Sequence, residues 1–229
     1  HIGMATSPAL YRNMPYKTLD DFEYLGMVNE VPMTIVGRST LPATNFAELR
    51  KWIDANKGKI NLANAGVGAA SHLCGLLFQQ SVQVDMTTVP YKGTAPAMTD
   101  LIGGQVDLMF ISLVTGSAQV RGGKLRAYGV TSAKRQDSFP ELPAIGEIVP
   151  GFESEAWFGL FGPAKLPNDI ANKLNAAVVA ALNDPKMREQ LQREGAAPAA
   201  RTPAEFAAFV RDDVQRWAPI VRQSGATPD

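Results

Sequence analysis

The chain has 229 residues, 45% of them apolar and 19% charged, which suits two small domains or one large one around a real core. Lysine plus arginine equals aspartate plus glutamate at 22 each, so no global field grips nucleic acid or an anionic membrane, and any bound anion must be held by local geometry. Cys74 is the only cysteine, which excludes an internal disulfide, and no apolar run reaches the length of a membrane span.

His1 to Ala5 has neither the basic start nor the apolar stretch of a signal peptide, and reads as the opening of a fragment or a processed product. Val31 to Val36 is an apolar run broken by Pro32, a buried strand or a crossover segment. Asn45 stands as an N-cap with Glu48 at the third helical position, and Phe46, Leu49, Trp52 and Ile53 recur at helical spacing until Gly58. A strand over 60–64 then empties into Ala65-Gly66-Val67-Gly68-Ala69-Ala70-Ser71, and a helix follows through Phe78. The unit repeats: a strand over 84–89, the turn Pro90-Tyr91-Lys92-Gly93, and a helix capped by Thr94 that Gly103-Gly104 stops. Val106 to Ile111 and Leu125 to Val130 read as buried strands. Strands alternating with short helices indicate an α/β protein with a parallel sheet. Residues 140–151, rich in proline and glycine, read as a surface segment. After a last strand over 156–161 the chain turns helical: 167–183, 185–194, and a long helix whose start is Thr202 as N-cap, Pro203 and Glu205.

The turn from Asn64 to Ser71 is the strongest candidate site. A strand that runs through a glycine-bearing turn into a helix presents amide hydrogens at the positive end of the helix dipole, which suits a carboxylate or phosphate without any charged side chain. The plain alternative is a tight turn with nothing bound. A dinucleotide fingerprint needs a third glycine where Ser71 stands, and Asp85 begins a strand instead of ending one. Tyr91, Lys92 and Thr94 join a strand to a helix and are expected on the same edge, with Ser112 and Thr115; taken alone, Thr94 is better read as a cap and Lys92 as a solvated side chain, and the convergence of three loops counts for more than any one of them. Catalytic chemistry finds little support. Ser71 and His72 are sequence neighbours, so their side chains diverge on a helix. Cys74 reads as a core thiol, Asp20-Asp21 and Asp212-Asp213 as a cap and a solvated helix face, and no metal-ligand spacing occurs. Trp157 and Phe158 are placed either in the core or along a cleft.

Val89-Pro90-Tyr91-Lys92-Gly93-Thr94-Ala95-Pro96-Ala97, followed by 100–110 (Asp-Leu-Ile-Gly-Gly-Gln-Val-Asp-Leu-Met-Phe), resembles the signature of the Bug/TctC solute receptors of tripartite tricarboxylate transporters. Segments 123–127, 130–135, 157–163 and 202–206 agree in order. The resemblance implies a type II periplasmic binding protein fold: two α/β lobes joined by two crossover strands, with a small organic acid held by backbone amides from a loop on each lobe. It places the first, incomplete lobe at 1–32 and 160–229 and the second at 33–159. The ligand residues it implies, with the physical reading above, are Thr6 in the first lobe, Ala63, Asn64, Ala65, Gly66, Val67, Gly68, Ala69, Ala70, Ser71, Tyr91, Lys92 and Ser112 in the second, and Trp157 with Phe158. It implies no cofactor and no enzymatic activity, a membrane permease as partner, and a periplasmic location. The family's first strands and helices and its export signal have no counterpart before His1. Where relatives carry an Asp-Asn pair after the strand ending at Phe110, this chain has Ile111-Ser112, which disfavours a ligand amino group and adds apolar surface at Ile111. The expected ligand is therefore a plain carboxylate. The rival readings are the effector domain of a transcription regulator and a small α/β enzyme.

Overall fold

The computed structural model describes residues 1–137, 139–193 and 195–226. In chain order its elements are α1 (Gly3–Leu10), β1 (Phe22–Arg38), α2 (Phe46–Ala55), β2 (Asn61–Asn64), α3 (Ala70–Val82), β3 (Thr87–Pro90), α4 (Thr94–Ile102), β4 (Leu108–Ser112), α5 (Leu113–Arg121), β5 (Leu125–Val130), β6 (Glu155–Pro163), α6 (Asn168–Asn183), α7 (Pro185–Arg193), β7 (Ala197–Pro198) and α8 (Pro203–Gln223). They form two compact units, residues 1–31 with 156–229, and residues 32–155. The second division falls just before Trp157 and Phe158, four residues earlier than expected, so both aromatics belong with the first unit.

The unit of residues 32–155 is built on a sheet in the order β3-β2-β4-β1-β5. β2 runs parallel to β3 and β4. The second half of β1 runs antiparallel to both β4 and β5, with Met33 opposite Ser112 and Thr34 opposite Val130. The sheet is therefore mixed, not the expected all-parallel one. The register brings the carboxyl ends of β2, β3, β4 and β5 to one edge, where ligands of open α/β sheets gather. One face of the sheet is covered by α2 and α3, whose Phe46, Leu49, Ile53, Cys74 and Phe78 are buried with Phe110 and Phe152. Phe78 sits edge-on to Phe46, Phe110 and Phe152, the arrangement that ring quadrupoles favour. Ala97 and Leu101 of α4 pack with Val36, Met109 and Ile111 in a second cluster.

Local chemistry explains where the helices start. Asn45 accepts the Glu48 amide at 2.9 Å through its side chain. The Glu48 carboxylate reaches back to the amide and hydroxyl of Thr44, both at 2.7 Å, one residue outside the expected box. Those bonds hold the Glu48 carboxyl below the usual carboxylate range. Thr94 is not a cap: Gly93 takes that position, and Thr94 is the first helical residue. Residues 140–151 are not a simple surface segment either, since Leu142, Ala144, Ile145 and Val149 are buried. Arg135 clasps Glu147 through two hydrogen bonds of 2.8 and 2.7 Å, and with the Ala144 amide this holds the Glu147 carboxyl down to about 2.

In the other unit, the first half of β1 pairs with β6 and, at Asn29 and Glu30, with β7. α8 starts as expected, with Thr202 and Glu205 exchanging capping bonds, and packs against α1. Its Phe206 ring meets Tyr24, Trp157 and Phe161. A Cβ at Gly159 would lie 2.1 Å from the Phe206 ring, so only glycine lets the helix lie this close to β6. No helix of the described residues is long and apolar enough to cross a membrane.

Candidate ligand-binding site

The turn between β2 and α3 takes its shape from two glycines. Gly66 has φ 129° and Gly68 φ 79°, conformations that residues with a Cβ rarely adopt. A Cβ on Gly66 would also come within 3.2 Å of the Tyr91 carbonyl. The neighbouring turn is tied to this one, because Tyr91 donates its amide to the Asn64 carbonyl at 3.0 Å and Gly93 donates to the Ala65 carbonyl at 3.1 Å. Ser112 lies at the end of β4 on the same edge and caps α5. The loops after β2, β3 and β4 thus share one sheet edge, as expected from the sequence.

The amides of the turn divide into two groups. Four are engaged within the fold. Ala65 donates to the Ser71 hydroxyl at 2.9 Å, Gly66 to the Asn64 side-chain oxygen at 2.9 Å, and Gly68 to His72 Nδ1 at 3.2 Å. Ala69 donates to the Gly66 carbonyl at 3.1 Å. The first hydrogen bond of the helix is given by Leu73. Val67, Ala70, Ser71 and His72 therefore keep amide hydrogens with no acceptor among the described residues. The expected fan from Gly66 to Ser71 narrows to Val67, Ala70 and Ser71 and gains His72, which sequence reasoning left out. The last three open the first turn of a 13-residue helix, where the dipole adds positive potential.

Asn64 supplies the second observation. It is 1% exposed, and its side-chain nitrogen has no hydrogen-bond partner. A buried donor in that state costs roughly 1–3 kcal/mol until an acceptor arrives. Thr6, in α1 of the other unit, is likewise 1% exposed with an unpartnered hydroxyl.

Other expected residues have other work. Ala63 is fully buried and pairs with both β3 and β4, so it belongs to the core. Ile111 is 1% exposed and packs under Gly116, so it adds no apolar surface to a ligand. Tyr91 donates its hydroxyl to Asp100 at 2.7 Å, which raises its pKa. Lys92 is exposed on the edge. Trp157 does not wall a cleft: it is 1% exposed, and its indole donates to Asp213 at 2.8 Å. Asp213 is accordingly a buried group and not part of a solvated face, and burial raises its pKa. Phe158, alternating with Trp157 along β6, is 48% exposed.

Ser71 and His72 do not form a nucleophile and base. The Ser71 hydroxyl accepts from Ala65 and the His72 Nδ1 accepts from Gly68. Burial lowers the His72 pKa, which keeps the imidazole neutral with its proton on Nε2.

A family model described as the tripartite tricarboxylate transporter family receptor, TctC, matches residues 2–226. The chain belongs to the TctC family. An Agrobacterium vitis UPF0065 protein from the TAR-I ttuE-ttuC' intergenic region is 40% identical over 229 residues, 98% of this chain and 66% of that protein. The chain thus spans just under two-thirds of the length of this TctC relative. The solved periplasmic binding protein BugD superposes with a TM-score of 0.84 at 41% identity, covering 98% of this chain and 76% of that one. An R. palustris protein solved with adipate gives a TM-score of 0.86 at 31% identity, covering 97% of this chain and 75% of its own. The type II binding-protein architecture, with one lobe incomplete, follows from these matches.

Proposed function

We propose that this TctC chain is the greater part of a periplasmic receptor that captures a small plain carboxylate, a dicarboxylate in the first instance, and delivers it to the membrane permease of a tripartite transporter. The observation that carries the reading is the pairing of open α3 amides with the buried, unpartnered amide nitrogen of Asn64 at the same turn. A carboxylate offers several lone-pair sites, enough for a set of donors that no protein group satisfies. Charge-assisted bonds of this kind contribute about 1.5–3 kcal/mol each. Lys92 adds a favourable field from the same edge, and Ser112 and Thr115 hold their hydroxyls 2.6 Å apart there. Ile111-Ser112 brings no carboxylate to balance a ligand ammonium group, and the adipate bound by the R. palustris relative has none.

Titration calorimetry with adipate, malate, benzoate, aspartate and glutamate tests the reading, on the wild-type chain and on Asn64→Asp. A plain carboxylate should bind best. Asn64→Asp keeps the oxygen that accepts from Gly66 but sets a negative charge at the helix terminus, so affinity should fall at least tenfold with unfolding unchanged. Binding led by an amino acid, no binding by any of the panel, or an unaltered affinity in the variant would each overturn it.

A further inference from the structure

The unit of residues 1–31 and 156–229 holds a hollow of its own, about 390 Å³ in volume, between Pro8 of α1, the segment 11–20 and Val214 of α8. That volume suits a small molecule. The segment that shapes it is anchored at three points. Tyr16 stands edge-on to Phe22, with ring centroids 5.4 Å apart. Tyr24 donates its hydroxyl to the Thr18 carbonyl at 2.8 Å. Lys17 closes a tight turn, giving its amide hydrogen to the Asp21 carboxylate at 2.6 Å and accepting at its carbonyl from the Asp20 and Asp21 amides. Tyr11, Met14, Tyr16 and Leu19 give the hollow an apolar and aromatic lining. Arg12 and Lys17 line it too, both exposed, and neither forms an ion pair among the described residues. Asp20 supplies one carboxylate to the same lining. Thr18, also in the lining, is 3% exposed, and its hydroxyl has no hydrogen-bond partner.

We propose that this hollow is a second binding site, which takes a small aromatic monocarboxylate. The ligand ring packs among Tyr11, Met14, Tyr16 and Leu19, where rings and a thioether offer the edge-on and offset contacts that aromatic groups favour. Its carboxylate lies between the Arg12 guanidinium and the Lys17 ammonium, and charge-assisted bonds of that kind are the strong ones. A carboxylate oxygen also gives the Thr18 hydroxyl the acceptor it lacks, which removes the standing cost of a buried, unsatisfied donor. The charges select the ligand. Two cations against Asp20 leave one positive charge in excess, which one carboxylate balances, whereas a second carboxylate on the ligand meets Asp20. The hollow and the turn between β2 and α3 belong to different units, so the inference stands whichever ligand the turn holds.

The test titrates 4-fluorobenzoate into the 229-residue chain and into Asn64→Asp, and follows the fluorine resonance by NMR. Saturable binding should appear in both proteins, and excess adipate should not displace it. Arg12→Gln with Lys17→Gln, made in the Asn64→Asp background, replaces two exposed side chains and should leave the Tm unchanged while weakening 4-fluorobenzoate at least tenfold. Thr18→Val, in the same background, removes an unsatisfied hydroxyl at nearly constant shape. Its Tm should hold or rise, and its affinity for 4-fluorobenzoate should still fall at least threefold, a loss that a purely structural threonine would not produce. Absence of saturable binding overturns the proposal. So does binding that adipate displaces or that Asn64→Asp abolishes, since that assigns the ligand to the turn between β2 and α3. Unchanged affinity in either the Arg12 and Lys17 variant or the Thr18 variant overturns it as well.

Discussion

Gly68 gives its amide hydrogen to the imidazole of His72, four residues on, at 3.2 Å. That bond closes the turn from which the free amides of Val67, Ala70, Ser71 and His72 project. It requires an unprotonated Nδ1, so the shape of the binding turn is linked to the ionisation of one buried side chain.

Burial lowers the His72 pKa from 6.5. The unfolded chain therefore takes up a proton before the folded protein does. The contribution is fully present above the unfolded value and is lost as pH falls through the lower folded value. Urea unfolding at a series of pH values should show this loss of stability on the acid side of pH 6.5. In His72→Asn, whose side-chain oxygen can accept from Gly68, that part of the pH dependence should vanish. An identical slope in the two proteins would refute the linkage.

Ala70 is the first residue of α3, and Ala69 before it has φ −65° and ψ 155°. Proline fits the first helical position, and that extended conformation suits the residue preceding it. Ala70→Pro should thus leave the Tm nearly unchanged while deleting one of the free donors. Carboxylate affinity should fall roughly ten- to a hundredfold, the worth of one hydrogen bond to a charged group. Unaltered affinity by calorimetry would remove Ala70 from the site.

Gly66→Ala should destabilise the fold by about 1–3 kcal/mol, the usual cost of a disallowed backbone conformation, because Gly66 has φ 129° and its new methyl would press on the Tyr91 carbonyl. Denaturant unfolding measures it, and a loss below about 0.5 kcal/mol, the range of an inert surface substitution, would contradict the tight approach of the two turns.

Asp213 carries the opposite pH signature. Burial raises its pKa, against the pull of the Trp157 indole. The wild type should lose stability as pH rises from the usual aspartate value through the raised folded value, because the buried carboxyl must then ionise. Asp213→Asn retains an acceptor for Trp157 and should flatten that dependence with little loss of Tm at neutral pH. Asp213→Leu strands the indole hydrogen and should cost about 1–3 kcal/mol. Equal damage from both variants would show that the indole bond is not what Asp213 supplies.

Several of these features were legible in the residues. The capping groups of α2 and α8 act over three or four positions, so Asn45, Glu48, Thr202 and Glu205 can be read directly, even though Glu48 reached to Thr44. The strand-to-helix turn was legible because Gly66 and Gly68 have few other reasons to stand together there. α5 was missed: Leu113–Arg121 carries Gly116 among serine and threonine, and its helical face shows only against Ile111, to which a Cβ at Gly116 would come within 2.3 Å. The direction of β1 was missed too, because hydrophobic alternation reports which face is buried and says nothing of which neighbour a strand pairs with.

The sequence by itself determined what depends on near neighbours and on composition: the absence of a net field, the caps, and a glycine turn able to point amides outward. Only the tertiary structure decided which of those amides stayed free, that Trp157 and Asp213 close on each other inside the core 56 residues apart, and that Phe158 beside them faces out. Backbone conformation and capping are settled within a turn of helix, whereas burial and hydrogen-bond satisfaction depend on which distant segments arrive, and a linear pattern does not carry that information.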